Sequence, residues 1–145
     1  MGDTLISFKT AKLAKKKGFN KKVLFSYEYS DKKSFLYCGG VLYNSSKNKY
    51  GYTENLEYNL YNHNSHKKLK VYSAPSQSKL QAWLRKKHNI HITITYDWHL
   101  FDVNIMSMQS NVSLESSLTG ITPHKFTTYE DALEAGLIEG LKLIK

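Results

Sequence analysis

"SQSKLQAWLRKKHNIHITITY", residues 76–96, passes from one regular structure to another within a few residues. Its first half opens on Ser76, a good helix cap, and carries Leu80, Trp83 and Leu84 at i, i+3 and i+4. That stripe predicts a helix over 77–88 with one face on a core. The second half, "HITITY", alternates, with Ile92 and Ile94 on one face, the period of a half-buried strand. Arg85, Lys86, Lys87 and His88 stand at the change. Cations in a last helical turn suit the negative end of the helix dipole. They are therefore either a solvated helix end or part of a surface for something acidic.

Upstream, Ser7 is placed to cap a helix over 8–17 with Phe8, Ala11 and Ala14 along one face. Gly18 sits where a left-handed residue ends a helix, and Phe19 can fold back on the last turn. From 22 to 73, "KVLFSYEYS", "SFLYCGGVLY", "YTENLEYNLYN" and "KLKVYS" are strand-forming runs broken by polar turns, which reads as an antiparallel meander. Gly39-Gly40 suggests a bulge or hairpin corner, and "NLEYNLYN" can equally be a helix by its Leu56, Leu60 spacing. Downstream, "LFDVNIM" is a further strand, and Ser- and Asn-rich 107–124 reads as a loop. "TYED", 128–131, caps a last helix with Thr128 and puts Asp131 at its third position. Leu133, Leu137, Leu141 and Ile144 form that helix's apolar face. Ala132, Gly136 and Gly140 recur along it as a row of small residues. Since a helical glycine costs about 1 kcal/mol relative to alanine, the row implies a close approach, by the sheet or by a second chain. The expected fold is α+β: one antiparallel sheet of about 5–6 strands packed with three helices, in the order α-β-β-β-β-α-β-β-α, with residues 1–145 forming a single domain.

Charge is the strongest compositional signal. Residues 1–90 carry 18 Lys/Arg and 5 Asp/Glu, a net of +13, and residues 91–145 carry 3 and 7, a net of −4; together they give the overall +9. A bias toward lysine codons explains 20 Lys against a single Arg, but not the scarcity of carboxylates in the first part. Such asymmetry points to an acidic partner. No run approaches the roughly 20 apolar residues that span a bilayer, and the N-terminus lacks a secretory pattern. Ile6 stands where a myristoylation motif has Ser or Thr. Cys38 is the only cysteine, so an internal disulfide or cysteine cluster is excluded. A cytoplasmic protein without a membrane partner is expected.

Familiar catalytic signatures are absent: there is no phosphate-cradling glycine loop, zinc-protease helix or nucleophile elbow. Two His-x-x-His pairs, His63/His66 and His88/His91, lack a cysteine or carboxylate partner, so no metal and no cofactor is expected. "YDWHLFD", 96–102, brings Asp97, His99 and Asp102 together in sequence, and His with Asp can do acid–base work in a ribonuclease. On a strand, Asp97 and His99 point one way and Asp102 the other, and Trp98 reads as core. No catalytic residue is assigned, and an enzyme is not expected.

Nucleic acid remains. Lysines neutralise phosphates and exposed tyrosines stack on unpaired bases, although tyrosine is also simply a good sheet residue. With Arg85 alone there is little bidentate readout of bases, so binding should follow backbone and shape. "AKKKGFNKK", "HKKLK" and "RKKH" are more basic than helix ends require. The candidate binding residues are Lys15, Lys16, Lys17, Lys21, Lys22, Lys67, Lys68, Arg85, Lys86 and Lys87, expected on one basic face.

Three stretches, "ISFKTAKLAKKKGF", "APSQSKLQAWLRKKHNIHITI" and "TYEDALEAGLIEGLKLI", resemble a family of small proteins encoded by phages and prophages. They cover somewhat over a third of the chain. The family carries no agreed catalytic motif, so no active residues transfer. In size and charge the chain is also similar to anti-CRISPR proteins, including an inhibitor of an RNA-guided RNA nuclease. The resemblance implies a counter-defence protein in the host bacterial cytoplasm, whose partner is RNA (guide RNA) or a CRISPR ribonucleoprotein nuclease. The alternatives are a structural or assembly module pairing as a homodimer through Ala132, Gly136 and Gly140, and a small ribonuclease.

Overall fold

The computed structural model describes residues 3–38, 41–44, 49–50, 62–65, 67–107, 117–120 and 126–145. The chain forms two compact units, Ile6–Pro75 and Met1–Leu5 with Ser76–Lys145. Both mix helix with antiparallel sheet, so the class is α+β as expected.

The unit Ile6–Pro75 begins with helix α1 (Phe8–Lys16). The Ser7 hydroxyl accepts from the Thr10 N–H at 3.2 Å, satisfying one of the donors a helix leaves open at its start. At the other end Gly18 has φ +83°; its N–H donates to Lys15 and that of Phe19 to Ala14, the bond pair of a Schellman turn. Phe19 is thereby turned into the core. The helix buries Thr10, Ala11 and Ala14. The Phe8 ring stacks on Tyr29, with centroids 5.6 Å apart, and meets Tyr27 and Tyr72 edge-on. Strands β1 (Phe25–Ser30), β2 (Lys33–Cys38), β3 (Val41–Asn44), β4 (Lys49–Tyr50) and β5 (Val71–Ser73) form one sheet in the order β4-β3-β2-β1-β5. Asp31 and Lys32, at φ 48° and 64°, close the β1–β2 hairpin, the left-handed two-residue turn that matches strand twist. Gly39-Gly40 and the "NLEYNLYN" run up to Tyr61 lie outside the described residues; Cys38 and Val41, on either side of the glycines, pair.

In the unit containing Ser76–Lys145, helix α2 spans Gln77–His88, the range expected, with the Ser76 hydroxyl accepting from the Lys79 N–H at 3.3 Å. Asn89, left-handed at φ 53°, ends it and turns the chain directly into β6 (Ile90–Asp97). Strand β6 pairs with β7 (Leu100–Ser107), and β7 with β8 (Ser117–Gly120). Helix α3 (Tyr129–Lys142) starts at Thr128, whose hydroxyl accepts from the Asp131 N–H at 3.1 Å. Ile90, Ile92, Val103 and Ile105 are buried on the sheet, as are Leu80, Trp83 and Leu84 of α2 and Leu133, Leu137 and Leu141 of α3. Both helices pack on this sheet and on each other.

Three expectations are corrected. The single sheet is two, because the 90–107 hairpin has α2 and α3 of its own to cover its apolar face. Part of the predicted loop 107–124 is strand β8, paired from Asn104↔Gly120 to Ser107↔Ser117. "SLTG" is too short to show a period, and its register is set by β7. Trp98 is not core: with His99 it forms the β6–β7 turn, at φ 47° and 69°, and is 83% exposed. The small-residue row of α3 lies against its own sheet. A Cβ on Gly136 would stand 2.8 Å from Ile92 Cγ2 and from Val103 Cγ1. That face is therefore occupied within the unit and is not the homodimer surface considered from sequence. No helix among the described residues is long and apolar enough to cross a membrane.

Candidate nucleic-acid interface

The candidate lysines of the unit Ile6–Pro75 come from two segments far apart in the chain, and two side chains join them. Lys15 Nζ donates to the carbonyl oxygens of Leu69 at 3.0 Å and Val71 at 2.8 Å, and lies 5.1 Å from the Tyr72 ring centre. Asn64, in a short 3-10 helix (His63–Ser65), donates to the Phe19 carbonyl at 2.9 Å and accepts from the Ser73 N–H at 2.9 Å. The end of α1 and the 67–70 turn are thus tied within a side chain's length of each other. Lys16, Lys17, Lys21 and Lys22 belong to the first of these segments, and Lys67 and Lys68 to the second. All are exposed except half-buried Lys17. No Asp or Glu occurs in residues 4–27 or 58–96. The two segments that meet here carry no carboxylate of their own.

Lys15 differs from its neighbours. Burial pushes its ammonium below the usual lysine range, and it donates to two backbone carbonyls. It holds the 69–71 backbone to the end of α1. Its place four residues after buried Ala11 is the signal that could have found it, since a long aliphatic stem there runs over the core. Asn64 carried no such signal, because its partners are 45 and nine residues away. Lys15→Met should lower the stability of the protein by about 1–3 kcal/mol, the scale for lost charged hydrogen bonds, in a urea titration. Lys16→Met should leave the midpoint unchanged.

Arg85, Lys86 and Lys87 belong to the other unit, in the last turn of α2, and all three are exposed. Lys87 Nζ lies 5.7 Å from the Trp83 ring centre. The His88 ring packs edge-on against Trp83, with centroids 4.6 Å apart. Burial first, and the Lys87 charge second, lower the His88 pKa from its ordinary 6.5. A histidine whose folded pKa is depressed stabilises the fold above its unfolded pKa, and that contribution disappears as pH falls through the folded value. The urea midpoint should accordingly drop between pH 7.5 and acid pH, beginning near 6.5. His88→Gln should flatten that part of the profile.

His99 sits in the β6–β7 turn, not on a strand beside Asp97, and its Nδ1 is 3.4 Å from the Tyr96 hydroxyl. His91 Nε2 is 3.1 Å from the Asn89 side-chain oxygen, whereas His88 faces Trp83. His66 lies outside the described residues. Among those residues no group of three His, Cys, Asp or Glu is placed to hold a metal. The tyrosines Tyr27, Tyr29 and Tyr72 surround Phe8, and the Tyr27 hydroxyl donates to the Ile6 carbonyl at 2.8 Å, so these take part in the packing of the unit. No family model, curated protein or solved structure matches the chain.

Proposed function

We propose that this is a non-enzymatic RNA-binding protein of the phage counter-defence (anti-CRISPR) type. It engages a guide RNA, free or within its nuclease, through exposed lysines. The observation that carries the RNA reading is the joining of two carboxylate-free lysine segments, 15–22 and 67–70, by Lys15 and Asn64. Flexible ammonium groups on a rigid base suit a phosphate backbone and carry no base readout. Arg85, Lys86 and Lys87 supply a second basic group on the other unit. The counter-defence assignment rests on the three stretches that resemble phage proteins and on the likeness in size and charge to anti-CRISPR proteins.

Fluorescence anisotropy with a structured RNA and a sequence-matched DNA duplex, across a salt series, tests it. Salt-steep binding that prefers the RNA is expected. Changing Lys16, Lys21 and Lys68 together to Glu should weaken it and lower the logarithmic salt slope by about 1 per lysine. Equal affinity for the DNA, no binding at low salt, or an unchanged triple variant would each sink the reading.

A further inference from the structure

Among the described residues strand β6 is the edge of its sheet. Asp97 and Leu100 close a two-residue hairpin, so they exchange backbone bonds, and with them Thr95, Thr93 and His91 face β7. Ile90, Ile92, Ile94 and Tyr96 therefore direct their N–H and C=O groups away from β7. The Gln81 amide bears this out, since it donates to the Ile92 carbonyl from the open side at 2.9 Å. Beyond Ile92 nothing among the described residues pairs with the edge. Proteins usually blunt such an edge with lysine, proline or a bulge. Here the pairing with β7 is unbroken over all eight residues, and no Lys or Arg occurs between Lys87 and Lys125 in a lysine-rich chain. Thr93, Thr95 and Asp97 are exposed, and Tyr96 is 61% exposed at the end of the strand.

We infer that two copies of this chain pair through β6, antiparallel about a two-fold axis at Ile94. The strand is its own complement in that register. His91 falls opposite Asp97 of the second copy, Ile92 opposite Tyr96, Thr93 opposite Thr95, and Ile94 opposite itself. Each of these is a favourable cross-strand pair: imidazole with carboxylate, aliphatic with aromatic, hydroxyl with hydroxyl. The residues brought opposite with outward-facing backbone groups are the even-numbered ones, so at Ile94 the same register continues the hydrogen-bond ladder across the axis, while at Ile92 the carbonyl is already taken by Gln81. A two-fold contact closes on itself and gives a dimer, not a fibre. The surface is distinct from the lysines proposed for RNA and does not depend on them.

Sedimentation velocity on the full chain, without RNA and over a concentration series, tests the pairing. A monomer–dimer equilibrium is expected. Thr93→Lys with Thr95→Lys sets lysine opposite lysine twice and should weaken dimerisation about tenfold or more. Thr93→Lys with Thr95→Glu sets lysine opposite glutamate and should restore it. Both positions are exposed, and unchanged circular dichroism will establish that each variant is folded. A wild-type protein that stays monomeric at about 100 μM would overturn the inference and leave the edge for another protein's strand. A dimer that ignores the double-lysine variant, or fails to return with the Lys–Glu variant, would overturn the interface and its register.

Discussion

Trp83→Ala is expected to destabilise the protein by about 3–5 kcal/mol, the range for deleting a buried aromatic side chain. The indole is 3% exposed and stands in the middle of the Leu80–Trp83–Leu84 stripe that α2 buries. No neighbour can collapse readily into the space: Leu80 and Leu84 are themselves fully buried, and the His88 ring is held edge-on beside the indole. The change also removes the ring under the Lys87 ammonium and opens His88 to water, so the acid-side loss of stability should shrink with it. Circular dichroism at 222 nm during a urea titration measures the loss. Fluorescence provides a separate check, because the chain has two tryptophans and they differ in exposure. Folded Trp83→Ala protein should emit only from Trp98, at the long wavelengths of an indole in water. A shift in the midpoint equivalent to less than about 1 kcal/mol would mean that α2 does not depend on this contact.

The second large effect concerns a residue with no side chain. Gly136→Val should cost about 3 kcal/mol by overpacking, measured in the same titration. A Cβ at Gly136 already meets methyl carbons of Ile92 and Val103 at 2.8 Å. Both neighbours are β-branched and stiff at χ1, and both sit on paired strands, so neither methyl can swing aside cheaply. Relief must come from lifting α3 off the sheet, which opens space along Leu133, Leu137 and Leu141. Gly140→Ala is the control. Its Cβ would lie 3.2–3.4 Å from Ile92, Leu84 and Ile90, tight but near ordinary contact. The helix propensity gained, about 1 kcal/mol, should offset that crowding and leave stability nearly unchanged. If both glycines tolerate substitution equally, the close approach of α3 to β6 and β7 is wrong.

Local chemistry made the three helices legible in the amino-acid sequence. Ser7, Ser76 and Thr128 cap them as their side chains and positions dictate, and Gly18 ends α1 because only a residue without Cβ takes its φ at little cost. Most strands were legible for the same reason, since alternation and β-branching act within the strand itself. The lysine groups were visible as composition. What each lysine does was not: Lys15 and Lys16 are neighbours in one run, yet one is fastened to backbone carbonyls and the other is exposed.

The sequence by itself determined the helices, the hairpins and the excess of positive charge, because capping, turn chemistry and periodicity operate over a few residues. Only the tertiary structure decided that the strands divide into two sheets, that 117–120 joins one of them, and that Trp98 faces water while Trp83 does not. It also decided that residues 15–22 and 67–70 meet. Those outcomes depend on contacts between residues far apart in the chain, through Asn64, Lys15 and the fit of Gly136 on Ile92 and Val103, whose energies no local pattern records.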